Sequence, residues 1–280
     1  MSLARSSYYY ESVIDPAEAK ANTDIIDMIE AICINLPGYG YRRVTAQLKR
    51  EGIVVNHKKV LRLMHESDLL CQVKRRWTRT TDSSHGLPVY PNLIKGRKVT
   101  GINQVWLADI TYIRIQRGFV YLAAILDACS RKVIGYAISD RLDTDLAMDA
   151  LHMAIDSRRP SESVIHHSDQ GVQYASRNYT NELKELGFQI SMSRKGNPYD
   201  NAMMESFFKT LKHEEVYLYE YDTIDDVKAR VSHFIEQVYN VKRLHSAIGL
   251  MPPEEYEELL IRGKQEVYPC RELLTLSVQP

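Results

Sequence analysis

Val105-Trp106-Leu107-Ala108-Asp109-Ile110-Thr111-Tyr112-Ile113 is crowded with β-branched and aromatic residues and reads as a strand. One acid, Asp109, stands inside it between Ala108 and Ile110. Gln116-Arg117-Gly118 supplies a hairpin turn. Residues 119–126 are nearly continuously apolar, as in a strand buried on both faces. Residues 132–139 read as a third strand, and three strands at this spacing form an antiparallel meander. Helical spacing follows over 144–158, a short strand over 164–167, a helix over 176–186 and a strand over 188–192. Gly196-Asn197-Pro198 breaks the chain before a helix over 199–212. The order βββαβαβα predicts an α/β domain, a mixed central sheet with helices on both faces.

Upstream of this core the texture is helical and basic. Tyr41, Val44 and Leu48 recur at the spacing of one helix face, and Gly52 can end that helix. Asn56 can cap a second helix that buries Val60, Leu63 and Met64. Arg42, Arg43, Lys58, Lys59 and Arg62 lie between the apolar positions, so the pair resembles a helix-turn-helix that binds DNA. Lys74, Arg75 and Arg76 follow, with Trp77 and Arg79, and lead into an aperiodic linker. Such a basic linker can lie along a phosphate backbone.

Charge supports that reading. The 280-residue chain is neutral overall, with 36 basic and 36 acidic residues. Residues 31–99 hold 14 basic against 4 acidic residues, whereas 214–280 hold 7 against 13. The first segment alone suits a polyanion. The boundaries expected are an N-terminal helical and polar segment at 1–37, the helix-turn-helix at 38–72 and a basic linker at 73–99. The catalytic core spans 100–213, and a C-terminal helical extension spans 214–280. Past the core, helices are read at 224–239 and 254–260. Four cysteines at 33, 71, 129 and 270 form no Cys-x-x-Cys pair, so a reducing, cytoplasmic home is expected. No run of about 18 apolar residues suggests a membrane span.

Three acids fall where chemistry can be built. Asp109 is costly on a core strand unless it is paired or holds a cation. Asp169 follows the fourth strand in His166-His167-Ser168-Asp169-Gln170-Gly171, at a carboxyl end where open α/β sheets place their sites. Glu205 lies in the last core helix. Three carboxylates without cysteine partners suit Mg²⁺ or Mn²⁺, and two such ions support phosphoryl transfer. Alternatively, Asp109 is a paired core acid and the others are surface residues. His167 points to the same side as Asp169 and either orients a phosphate or packs. Asp127 and Asp140, at strand ends, read as structural or solvated.

Residues 38–260 resemble bacterial insertion-sequence transposases of the OrfB type, which carry a retroviral-integrase-like Asp-Asp-Glu core. The resemblance rests on ordered blocks. They are Tyr39-Gly40-Tyr41-Arg42-Arg43, Trp106-Leu107-Ala108-Asp109-Ile110-Thr111-Tyr112 and His167-Ser168-Asp169-Gln170-Gly171-Val172-Gln173-Tyr174. Gly196-Asn197-Pro198-Tyr199-Asp200-Asn201-Ala202 and Glu205-Ser206-Phe207-Phe208-Lys209-Thr210-Leu211-Lys212 follow, then Tyr239-Asn240 with Arg243 and His245. Thirty-five residues separate Asp169 from Glu205, as in the family motif. The resemblance implies a ribonuclease-H-like fold, a pair of Mg²⁺ ions on Asp109, Asp169 and Glu205, and Lys212 against the DNA end. Lys212, seven residues after Glu205, shares its helix face, and Asn201, one turn before it, can also reach the site. The partners implied are insertion-sequence end DNA and target DNA, a second copy for synapsis, and an upstream DNA-binding frame product or fusion. The implied setting is the nucleoid. Two other functions stay open from the residues alone: a nuclease of this fold that cuts without strand transfer, and a DNA-binding regulator.

Overall fold

The computed structural model describes residues 16–71, 87–160, 163–194 and 201–263. The chain divides into two compact units, residues 1–72 and 73–280.

The first unit holds three helices: α1 (Pro16–Asn35), α2 (Tyr41–Arg50) and α3 (His57–Glu66). Val44 and Leu48 of α2 and Val60, Leu63 and Met64 of α3 are buried, as are Ile29 and Ile32 of α1. The Asn56 side chain accepts the Lys58 N–H at 2.8 Å and satisfies one of the orphan donors that start α3. Gly52, at φ +89°, lets the chain reverse after α2. Lys74, Arg75 and Arg76, with Trp77 and Arg79, lie outside the described residues, as does the Gly196-Asn197-Pro198 break.

In the second unit, strands β1 (Val105–Ile115), β2 (Gly118–Asp127) and β3 (Val133–Ser139) come first. Then follow α4 (Thr144–Arg158), β4 (Ile165–Ser168), α5 (Val172–Ala175), α6 (Arg177–Glu185), β5 (Gln189–Met192) and α7 (Ala202–Leu211). Helices α8 (Ile224–His233) and α9 (Pro253–Ile261) complete it. The sheet order is β3-β2-β1-β4-β5. Strands β1, β2 and β3 pair antiparallel, while β4 pairs parallel to both β1 and β5. This is the ribonuclease-H-like arrangement. Alternation along β1 feeds two cores. Leu107, with Leu122 and Leu126 of β2, packs with Met204, Phe207 and Leu211 of α7. Trp106 and Ala108 pack with Leu146, Ala150 and Ala154 of α4 and Tyr179 of α6.

Two features depart from the sequence expectation. α5 is a four-residue turn of helix, too short to leave a periodic signal. Helices α7 and α8 run on, without a break, into π-helical turns at Lys212–Val216 and Phe234–Tyr239. Each widened turn re-aims the side chains that follow it. Residues 214–263 are built into the core, because Val216, Val227, Val231 and Tyr256 share one cluster with β1 and β2. The family-like Tyr239, Asn240, Arg243 and His245 hold this segment. Asn240 exchanges hydrogen bonds with both backbone groups of Val133, at 3.0 and 2.9 Å. Arg243 donates twice to Glu214 at 2.7 Å, and the His245 ring stands edge-on to Tyr239 with centroids 4.6 Å apart. Among the described residues no helix is long and apolar enough to cross a membrane.

Candidate active site

β4 pairs with β1 only from Val105 to Leu107, with Leu107 opposite His167. Two residues further along that register stand Asp109 and Asp169, side by side at the carboxyl end of the parallel pair. Asp109 is half-buried, and its Oδ1 accepts the Ile110 N–H at 2.8 Å. Asp169 is likewise half-buried, and its Oδ1 accepts the Gly171 N–H at 2.9 Å. A methyl group on Gly171 would stand 2.9 Å from that same oxygen and push the carboxylate aside. Both acids are thus aimed by backbone donors before any ligand arrives.

Glu205 is exposed on the first turn of α7, beside buried Met204, and Lys212 is half-buried where α7 passes into its π-turn. These groups share one electrostatic field. Burial, then the charge of Asp169, lifts the Asp109 carboxyl well above the usual carboxylate range; Glu205 adds to this, while the Ile110 N–H and Lys212 oppose it. Burial lowers the Lys212 ammonium, against the pull of Tyr112 and Asp109. Its Nζ lies 4.6 Å from the centroid of the Tyr112 ring. The buried Tyr174 phenol is pushed up by burial, by Tyr179 and by the charges of both Asp109 and Asp169. Tyr112 and Tyr174 both lie in the quoted motif blocks, yet nothing in their spacing marks them as neighbours of the acids.

The donor set is all oxygen. Asn201, buried, donates through Nδ2 to the Ala108 carbonyl at 3.4 Å, beside Asp109. Its Oδ1 has no hydrogen-bond partner among the described residues. A hard divalent cation fits such a set. Even so, among the described residues no three His, Cys, Asp or Glu side chains close to metal-ligating geometry. His167 is a packed residue: it is buried, with Nδ1 2.8 Å from Ser191 Oγ and Nε2 3.0 Å from Ser193 Oγ. Asp127 is fully buried and accepts N–H groups of Asn103, Cys129 and Ser130 at 2.7, 2.8 and 3.1 Å, a structural role; Asp140 is exposed.

Models of the integrase core domain match residues 100–198, which contain Asp109 and Asp169, and residues 186–253, which contain Glu205 and Lys212. A model of an HTH-like domain matches residues 20–77. The chain is 38% identical over 246 residues to the transposase for insertion sequence element IS904 of Lactococcus lactis, covering 87% of this chain and 97% of that one. The chain belongs to the insertion-sequence transposases. A 31 kDa protein of insertion element IS600 of Shigella sonnei is 39% identical over 259 residues, 91% of this transposase and 95% of that protein. Among solved structures, the transposase is similar to a simian T-cell lymphotropic virus intasome chain, with TM-score 0.48 and 16% identity. That match covers 90% of this chain and 76% of that one.

In the first unit of the transposase, Lys58 and Arg62 are exposed on α3, with Lys59 half-buried between them. Arg62 lies 3.9 Å from Glu66, a solvent-screened pair. On α2 the guanidinium of Arg42 stands 5.7 Å from the Tyr41 ring centroid, and that of Arg43 stands 5.6 Å from that of Tyr39. The aromatic Tyr39-Gly40-Tyr41 motif therefore supports the two arginines.

Proposed function

We propose that this DNA transposase cuts phosphodiesters at insertion-sequence ends and joins them to target DNA through Asp109, Asp169 and Glu205. The observation that carries this is the β1–β4 register, which brings Asp109 and Asp169 together just past the last paired residues, with Glu205 and Lys212 close enough to act on the Asp109 carboxyl. Two carboxylates aimed by backbone N–H groups and a third on a helix offer oxygen ligands from three directions, and the unpartnered Asn201 Oδ1 adds a fourth oxygen nearby. When bound there, a pair of Mg²⁺ ions, or Mn²⁺ in their place, supplies Lewis-acid activation of the attacking oxygen and stabilises the leaving one. Lys212 holds a phosphate of the DNA end at the mouth of the site. Water serves as nucleophile for cleavage and a DNA 3′-hydroxyl for joining.

The helical unit grips the element end. Arg42, Arg43, Lys58, Lys59 and Arg62, with Lys74, Arg75 and Arg76 after them, supply phosphate contacts that set position more than sequence. Joining two ends calls for at least two copies, acting on nucleoid DNA, and an upstream DNA-binding frame product or fusion fits the same scheme. The test is strand transfer with a pre-cut end. Wild type is expected to join it to target DNA with Mg²⁺, and Asp109→Asn, Asp169→Asn and Glu205→Gln are each expected to abolish joining. Metal-dependent cutting without joining would instead identify a nuclease. End binding without either reaction would identify a regulator.

A further inference from the structure

Lys212 also lines a groove that the chemistry above leaves unused. A cavity of about 790 Å³, the size of a small-molecule site, opens between the β1–β2 hairpin and the turn after the first π-helix. Tyr112 and Phe119 wall it from the hairpin, Tyr217 and Tyr219 from the turn, and Arg114 and Lys212 add two cations. Phe119, Tyr217 and Tyr219 are 49%, 40% and 47% exposed, an unusual display of large rings in one place.

The walls are preformed. The Arg230 guanidinium lies 3.3 Å from the Tyr219 ring centroid and donates to Glu215 Oε1 at 2.7 Å. The Tyr221 hydroxyl donates to that same oxygen at 3.1 Å. The Gln116 N–H donates to the Tyr221 carbonyl at 2.8 Å, tying the turn to the hairpin. Tyr112 and Phe119 meet edge to face, with centroids 5.4 Å apart. Rings held this way are stacking platforms rather than flexible cover.

Charge selects the occupant. Glu220 and Asp222 also line the cavity, and their carboxylates oppose the dense phosphates of a duplex. The neutral faces of unpaired bases meet no such penalty, and Arg114 and Lys212 can take the sparser phosphates of a single strand. Lys212 joins the groove to the acids, since it is felt by Asp109. We propose that this groove receives unpaired bases of one DNA strand beside the scissile end, stacked on Tyr112, Phe119, Tyr217 and Tyr219. The proposal rests on the reading that DNA ends are cut at the neighbouring acids.

The full chain, in chelator without divalent ions, is titrated with blunt element-end DNA and with the same DNA carrying a 5′ or a 3′ overhang of about four nucleotides. Wild type is expected to bind one of the overhanging ends more tightly than the blunt end and to quench 2-aminopurine placed in that overhang. The double variant Phe119→Ala, Tyr219→Ala is expected to lose about five-fold or more on the overhang, the scale of losing base stacking, with blunt-end binding and thermal midpoint unchanged. Equal wild-type affinity for blunt and overhanging ends, unquenched 2-aminopurine, or equal losses on both DNAs in the variant would overturn the proposal. Because no catalysis is read, failure here leaves the strand-transfer test of the three acids standing, and failure there leaves this binding result readable.

Discussion

Asp109→Asn should make the protein more stable while removing its chemistry. In the folded chain the Asp109 carboxylate meets burial, Asp169 and Glu205 as penalties, against relief from the Ile110 N–H and Lys212. Asparagine has the same shape, and its Oδ1 can still accept the Ile110 N–H now bonded at 2.8 Å. The substitution thus removes the charge and keeps the bond. Relief of an active-site charge stabilises a protein by about 0.5–2 kcal/mol, which for a unit of this size raises the thermal midpoint by roughly 1–8 °C. The sign fixes the pH dependence. The folded carboxyl titrates above its unfolded value, so wild type holds this part of its stability below the ordinary carboxylate range and loses it as pH rises through the folded value. The advantage of Asp109→Asn should therefore be largest at neutral pH and shrink toward zero near pH 4. Thermal unfolding of both chains in chelator, from pH 4 to 8, reads it. An Asn variant that is less stable at pH 7, or an advantage that grows on acidification, would refute the reasoning.

Three further outcomes follow from single contacts. A methyl group on Gly135 would stand 2.3 Å from the Ala150 carbonyl oxygen and 2.6 Å from the Ala154 nitrogen, both backbone atoms of α4. Gly135→Ala should therefore cost about 1–3 kcal/mol in chemical denaturation, and an unchanged midpoint would mean that α4 yields freely. Arg158 donates to both oxygens of buried Glu257, at 2.9 and 2.5 Å, fastening α9 to α4. Among the described residues Arg158→Leu leaves that carboxylate only Lys132, 3.8 Å away, and should cost about 2–4 kcal/mol, while Arg158→Leu with Glu257→Leu should recover much of it. Lys212→Ala should weaken end binding and lower the slope of log affinity against log salt by about one while the protein stays folded; an unchanged slope would make Lys212 a structural cation over Tyr112.

Much of the fold was legible because its local signals agree. Thr144–Arg158 forms as read, with Asp143 accepting the Leu146 N–H at 3.1 Å. The meander is legible because runs of β-formers, one of them continuously apolar, are separated by the Gln116–Arg117 turn. The π-turns after Leu211 and His233 left no trace, since one inserted residue shifts the helical spacing too little to separate it from ordinary irregularity. That hidden turn matters, because it carries the chain from Lys212 into the tyrosine-lined groove. At the site, the placement of Asp109 inside the first strand and of Asp169 just past the fourth followed from element order alone. The Tyr112 ring against Lys212 did not, because a cation reaching over a strand edge depends on tertiary packing and not on spacing. Asp127 lies at a strand end much as Asp169 does, and only its three backbone donors distinguish a structural acid from a functional one.

The most direct measurement of the central claim is the position of three carboxylates in a structure of the full chain bound to element-end DNA with a divalent ion. Asp109, Asp169 and Glu205 are each expected within about 2.0–2.6 Å of shared cations, with Lys212 on a phosphate of the end. A DNA-bound structure in which one of these carboxylates stands some ~10 Å from the other two, beyond the reach of any bridged metal pair, would contradict the account.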